Sequence, residues 1–373
     1  YVYFDYQNIL KGEITINSLK PIKLGDRIAK LPIIQGAMGV GVSLSSLASA
    51  VAREGAIGVI SGVQIGYDEP DFLSNNIEAN VRALKKHIKR AKELCGDGIL
   101  GVNLLTAMKN YKEMVAAAVE MKIDLIISGA GLPLDLPALV EGSQTKIVPI
   151  VSSGKAAALI SKVWDKKYKR IPDMVIVEGP EAGGHLGFSK EELAKNEFRP
   201  LEELVTEVIE AMKPFEEKYK IQVPVIAAGG IYSGEDIAKF IKLGASGVQM
   251  ATRFVATEEC DAHINFKNSY VDAKKEDIRL VQSPVGMPGR AVDNEFTKKL
   301  DKGNIPVKRC YDCLIPCNPA TTPYCISQAL IQSVTGDMEN GLVFAGTNAY
   351  KIDKITTVKD LINELCEEAN SYL

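Results

Sequence analysis

Eight short apolar runs, alternating with helical stretches, constrain this chain more than any other feature. The runs span residues 31–35, 56–60, 99–103, 125–128, 146–151, 174–177, 223–228 and 247–251. They are rich in Val, Ile and Leu, as strands buried on both faces of a parallel sheet are. Between them, helical spacing of apolar residues predicts helices over 45–54, 76–94, 111–121, 133–140, 155–164, 201–217 and 234–243. Eight such units over about 225 residues predict an α/β fold, a (β/α)8 TIM barrel. A doubly wound open sheet is the competing arrangement, but it concentrates its glycine fingerprint after the first strand. Here glycine follows nearly every strand, which favours the barrel.

Barrel enzymes build their sites just after the C-terminal ends of the strands. The chemistry-bearing residues of this chain fall there. The first strand ends in Gln35-Gly36-Ala37-Met38-Gly39, the third in Asn103, the fourth in Ser128-Gly129-Ala130-Gly131 and the fifth in Ser152-Ser153-Gly154. The sixth runs through MVIVEGPEAGGHLGF, residues 174–188, so that Glu178 and a turn of Gly179, Pro180, Gly183 and Gly184 lead to His185. Glycine lets backbone approach a ligand closely, and a neutral imidazole exchanges protons near pH 7. The chain has three histidines. His87 falls in a Lys/Arg-rich helical stretch and is expected to be solvated, while His263 follows an acidic, turn-like segment. His185 is therefore the candidate catalytic histidine; the alternative is a structural loop histidine. After strands seven and eight come Gly229-Gly230 and Ala251-Thr252-Arg253. A glycine pair at this position predicts a phosphate cradle of backbone N–H groups, with Thr252 adding a hydroxyl; the plainer reading is a tight turn.

Taken in order, PIIQGAMG, GVNL, VEGPEAGGHLG, VPVIAAGGI and GVQMATRFVATEEC resemble the nitronate monooxygenases, once called 2-nitropropane dioxygenases. The same superfamily includes flavin-dependent enoyl-ACP reductases and some NAD(P)H:quinone reductases. The resemblance covers roughly residues 31 to 260 and implies an FMN-binding barrel. Carried over by residue, Gly36, Ala37 and Met38 line the flavin ring and Asn103 contacts it, while Glu178 faces the ribityl chain or the ring. Gly183 and Gly184 pass beside the cofactor. Gly229, Gly230, Ala251 and Thr252 hold the phosphate, with Gln249 nearby. His185 matches the family's catalytic base or substrate-orienting group. Two departures stand out. Some members place a lysine at the end of the fifth strand, where this chain has Ile150-Val151-Ser152-Ser153, and Ala37 and Ala251 occupy positions where glycine is frequent.

The resemblance implies oxidation of alkyl nitronates, or of nitroalkanes, with dioxygen to carbonyl compounds and nitrite. The alternative within the superfamily is NAD(P)H-dependent reduction of an enoyl thioester or a quinone. Apart from Arg253 and Arg290 there is no basic cluster near the motif loops, which argues against a long phosphorylated thioester. Outside the superfamily, the same glycine loops suit a non-redox barrel that binds a phosphorylated metabolite.

The remaining features set the surroundings. Expected boundaries are an N-terminal extension over 1–30, the barrel over 31–260 and a mostly helical C-terminal cap over 261–373. Tyr1, Tyr3, Phe4 and Tyr6 make the extension aromatic, suited to packing under the barrel or to a homodimer contact. In the cap, 265–277 reads as polar and 283–290 (SPVGMPGR) as a loop over the barrel mouth. Helices are expected over 326–340 and 358–372, and Gly346-Thr347-Asn348-Ala349-Tyr350 is compact enough to reach the site. Cys310, Cys313, Cys317 and Cys325 could bind zinc or an iron–sulfur cluster, or be structural. Their spacing fits no standard finger, so no metal is assigned. Cys95, Cys260 and Cys366 are isolated and read as structural. A net charge of −3 offers no basis for nucleic acid or an anionic membrane as partner. With seven cysteines and no signal peptide or membrane-length apolar run, a reduced, cytoplasmic protein is expected.

Overall fold

The computed structural model describes residues 18–373, so Tyr1, Tyr3, Phe4 and Tyr6 lie outside the described residues. An antiparallel hairpin comes first, β1 (Ile22–Leu24) and β2 (Arg27–Ala29). The barrel strands begin with β3 (Ile33–Gln35), β4 (Ile57–Ser61), β5 (Ile99–Leu105), β6 (Leu125–Gly129), β7 (Lys146–Val151) and β8 (Val175–Glu178). The loop after β8 contains a two-residue strand, β9 (Gly184–His185), and the barrel is completed by β10 (Val225–Ala228) and β11 (Gly247–Met250). These eight parallel strands pair in sequence order, β11 closing onto β3. The expected (β/α)8 barrel is the observed fold.

Because side chains alternate across a strand, each barrel strand feeds two cores. Ile34, Ile57, Val59, Ile99, Leu125, Ile127, Val148, Ile176 and Ile226 fill the interior, and Ile22, Leu24 and Ala29 of the hairpin plug its lower end. The opposite residues, among them Leu100, Val102, Val175, Val177 and Val248, pack against the surrounding helices. β3 is short and pairs with β4 at a single Cα register, Ile34 with Ile57. The buried Gln35 side chain reinforces that seam, accepting from the Val59 N–H (3.0 Å) and donating to the Gly36 carbonyl (2.7 Å).

The C-terminal segment is better ordered into strands than its composition suggests. The 283–290 stretch, which reads as a loop in sequence, is the turn and second strand of a hairpin, β12 (Ile278–Gln282) and β13 (Pro288–Val292). β13 also pairs with β9, Gly289 opposite His185 and Arg290 opposite Gly184. β13 is the central strand of this sheet, so Pro288 is tolerated as its first residue, and Gly289 is needed because a Cβ there would lie 2.9 Å from the Phe344 ring. The polar 265–277 stretch contains a helix, Ile264–Val271, capped by the His263 imidazole, which accepts from the Asn265 N–H. The helix expected over 326–340 stops at Val334. The last helix, Val358–Tyr372, docks on Gly234–Leu243 at Gly234, where a Cβ would lie 2.4 Å from the Ala369 nitrogen. Among the described residues no helix is long and apolar enough to cross a membrane.

Candidate active site

Strand periodicity aims the polar strand-end residues. In β5, Leu100, Val102 and Leu104 point outward, so Asn103 points into the barrel; the same alternation turns Glu178 of β8 and Gln249 of β11 inward. All three line a cavity of about 430 Å3 at the C-terminal ends of the strands. Among the described residues, none of these three side chains has a hydrogen-bond partner. Three inward polar groups without partners, in a cavity of ligand size, are what a bound polar ring would satisfy.

The same cavity is lined by the other residues expected to bind the cofactor or act in catalysis: Gly36, Ala37, Met38, Gly183, Gly184, His185, Gly229, Gly230, Ala251 and Thr252. Gly229 and Gly230 have φ of +98° and +80°, a region that disfavours any side chain. Among the described residues neither glycine N–H has an acceptor. These free amides and the Thr252 hydroxyl line the same cavity and are donors of the kind that bind an anion. Gly183 is required for a different reason. A Cβ there would lie 2.5 Å from the Ala345 carbonyl carbon and 2.6 Å from the Gly346 nitrogen, so two backbones cross at this point. The 346–350 segment does reach the site: Gly346 lines the cavity and the Asn348 amide donates to the Gly230 carbonyl at 2.6 Å.

His185 is held from three sides. Its Nε2 lies 2.6 Å from Ser283 Oγ, and its ring meets the Phe344 ring at 63° with centroids 5.1 Å apart. Beneath its loop, Arg290 is only 7% exposed and donates to the Pro180 and Ala182 carbonyls at 2.8 and 2.6 Å. Burial pushes the His185 imidazole down to about 4, so it is neutral at pH 7. Burial pushes the Glu178 carboxyl up to about 7, with no cation beside it. No Lys or Arg is among the cavity's lining residues, which agrees with Ile150, Val151 and Ser152 standing at the end of the fifth strand. Arg253 is turned away to Glu364 and the Tyr232 carbonyl.

His87 departs from its expected solvated state. Its Nδ1 lies 3.0 Å from Ser45 Oγ, and desolvation lowers its pKa. Helical periodicity in 76–94 reveals which face is charged but not that the adjacent helix Ser45–Arg53 covers the histidine. Glu181 also lines the site from within the VEGPEAGGHLG motif, whereas Ser283 and Phe344, which support His185, carry no local motif of their own; Ser283 lies in a segment that reads only as a covering loop.

The raised Glu178 pKa has a testable consequence. A carboxyl whose folded pKa exceeds its ordinary 4.5 contributes its full stability below that value and loses it as pH rises through about 7. Glu178→Gln keeps the neutral form, so its Tm declines less than wild type between about pH 4.5 and pH 7, by about 2–4 °C. Parallel Tm curves for the two proteins would contradict this account.

An eight-stranded parallel barrel with glycine turns after its last two strands, and one histidine over a cavity at its C-terminal face, defines a barrel protein with an enzyme-like site. The nitronate monooxygenase family matches residues 23–368, and the chain belongs to that family of flavin-dependent oxidoreductases. A probable nitronate monooxygenase of Bacillus subtilis is 26% identical over 90% of this chain and 95% of its own length. A (3aS,4S,5R,7aS)-5-hydroxy-7a-methyl-1-oxo-octahydro-1H-indene-4-carboxyl-CoA dehydrogenase of Rhodococcus jostii is 22% identical over 91% and 92%. Among solved structures, FabK from Thermotoga maritima aligns with a TM-score of 0.69 and 27% identity over 91% of this chain and 93% of that one. A nitroalkane oxidase from Streptomyces ansochromogenes aligns with a TM-score of 0.71 and 22% identity over 92% and 96%.

Proposed function

We propose that this chain binds FMN in the barrel cavity and oxidises alkyl nitronates with dioxygen, releasing carbonyl compounds and nitrite. The observation that carries this reading is His185, a single neutral imidazole in a largely apolar cavity with no Lys or Arg among its lining residues. Such a site suits a small nitro compound. A neutral imidazole can take the α-proton of a nitroalkane, or present an N–H to the oxygens of a nitronate.

In this reading Gly229, Gly230, Ala251 and Thr252 hold the phosphate, with Gln249 nearby. Gly36, Ala37, Met38 and Asn103 lie along the ring, Glu178 faces the ring or ribityl chain, and Gly183 and Gly184 pass alongside. The bound flavin would supply the electron acceptor. The protein's own residues do the rest. Ser283 positions His185, Phe344 fixes the plane of its ring, and Val285, Met287 and Leu314 present apolar surface that excludes water from the reacting carbon.

The likeness to FabK favours a second reading, reduction of an enoyl thioester or a quinone by NAD(P)H. Anaerobic mixing separates the two. Propyl nitronate is expected to bleach the flavin absorbance of the loaded protein, with nitrite formed once air is admitted, while NADH and NADPH leave it unchanged. Fast bleaching by a nicotinamide with no response to nitronate would establish the reductase reading instead. A protein that neither contains nor binds flavin would defeat both.

A further inference from the structure

We propose that Cys310, Cys313, Cys317 and Cys325 together hold a four-iron, four-sulfur cluster at one wall of the active-site cavity. Nothing in the flavin chemistry requires these residues. They occupy one segment, CYDCLIPCNPATTPYC, whose intervals of two, three and seven residues place three thiols close together and bring the fourth back after a proline-rich turn. Clusters of this kind are held by four Cys thiolates, commonly from runs that begin Cys-x2-Cys.

The fold gathers the four and anchors them. All are free thiols, Cys310 exposed and the others half-buried. Cys313 lies within electrostatic reach of Cys317 and Cys325, and Cys325 within reach of Cys310 and Cys317. The segment is tied to the loop after β5: the Lys109 N–H donates to the Cys313 carbonyl at 3.2 Å and the Ile315 N–H to the Ala107 carbonyl at 2.9 Å. Arg309 secures its start by donating to the Leu73 carbonyl.

Polar hydrogens also surround the sulfurs, as thiolates require and thiols do not. The Asp312 N–H donates to Cys310 Sγ at 3.3 Å, and the Ser327 side chain hydrogen-bonds the Cys313 thiol. Cys325 precedes the helix Ile326–Val334, and the Ser327 and Gln328 amides face its sulfur without a close cap bond. Lys109 stands near Cys310 and Cys313, where its charge favours anionic sulfur.

A cluster and a single ion make different demands on four thiols. Among the described residues, no three His, Cys, Asp or Glu side chains converge to hold one metal ion. Zinc needs every sulfur about 2.3 Å from one centre. An iron–sulfur cube takes one thiolate at each iron and so spaces its ligands more widely. Cys313, Leu314, Ile326 and Ser327 all line the cavity, so the cluster would stand directly behind that wall.

The test is isolation of the full chain without oxygen, with iron, acid-labile sulfide and flavin measured on the same sample. About four irons and four sulfides per chain are expected, with a paramagnetic signal after dithionite reduction. Cys310→Ser and Cys317→Ser each lose most of the iron and keep the flavin, whereas Cys366→Ser keeps both. Stoichiometric zinc would overturn the proposal, as would a disulfide among the four in peptide maps. So would the absence of iron in the wild-type chain after anaerobic reconstitution with ferrous iron and sulfide. The wild-type stoichiometry decides the matter even if a variant fails to fold.

Discussion

His185→Ala lowers turnover of a neutral nitroalkane by a factor of about 10²–10⁴, the usual contribution of a positioned general base. With a preformed nitronate the loss is only about tenfold, the worth of one hydrogen bond, because no carbon-bound proton remains to be removed. The ratio between the two substrates therefore reports whether the imidazole acts as base or as orienting group. The pH dependence follows from burial. With the imidazole pKa near 4, its neutral form persists down through the range where an ordinary histidine gains its proton. The wild-type profile therefore shows no acid limb from His185 until the pH falls toward about 4. Steady-state kinetics on both substrates across pH checks this. Equal rates for wild type and His185→Ala on both substrates would remove His185 from the mechanism.

Arg290→Met acts through the loop rather than the chemistry. The guanidinium is buried and its two carbonyl contacts span the segment between Glu178 and His185. Burial lowers its pKa, but an arginine so placed stays charged. Each charge-assisted bond is worth about 1.5–3 kcal/mol, and the substitution leaves two acceptors unsatisfied, so the loss is about 3–5 kcal/mol. That corresponds to a fall in Tm of about 4–6 °C. Because β13 is paired with β9 beside Arg290, flavin retention falls as well. Calorimetry and flavin content measured together check the prediction; a variant within about 1 °C of wild type with full flavin would refute it. Arg290→Lys recovers little, since one ammonium cannot reproduce the fork of a guanidinium.

Much of this architecture is legible in the order of residues alone. The eight apolar runs predict the eight barrel strands because a strand buried on both faces cannot carry polar alternation. Residues after those runs identify the site because a closed parallel barrel presents all its strand ends on one face. Even the inward direction of Asn103, Glu178 and Gln249 follows from a period of two once the flanking Leu and Val residues are assigned outward. The glycine pair at 229–230 is ambiguous in sequence between turn and cradle, and its positive φ with unpaired amides is what favours the cradle.

Everything set by contacts distant in sequence is hidden from such a reading. Ser283 lies 98 residues from His185, and no pattern in either segment announces their hydrogen bond. The SPVGMPGR stretch reads locally as a loop because its strand character comes from pairing with β12 and β9. His87 reads as solvated for the same reason, since its cover belongs to another helix. By itself, then, the sequence determined the barrel, the face that carries the site and the residues at the strand ends, because strand and helix periodicities are local properties of the chain. Only the tertiary structure decided which groups buttress the histidine and why its imidazole stays neutral. Burial and long-range hydrogen bonds arise only when separate segments pack together.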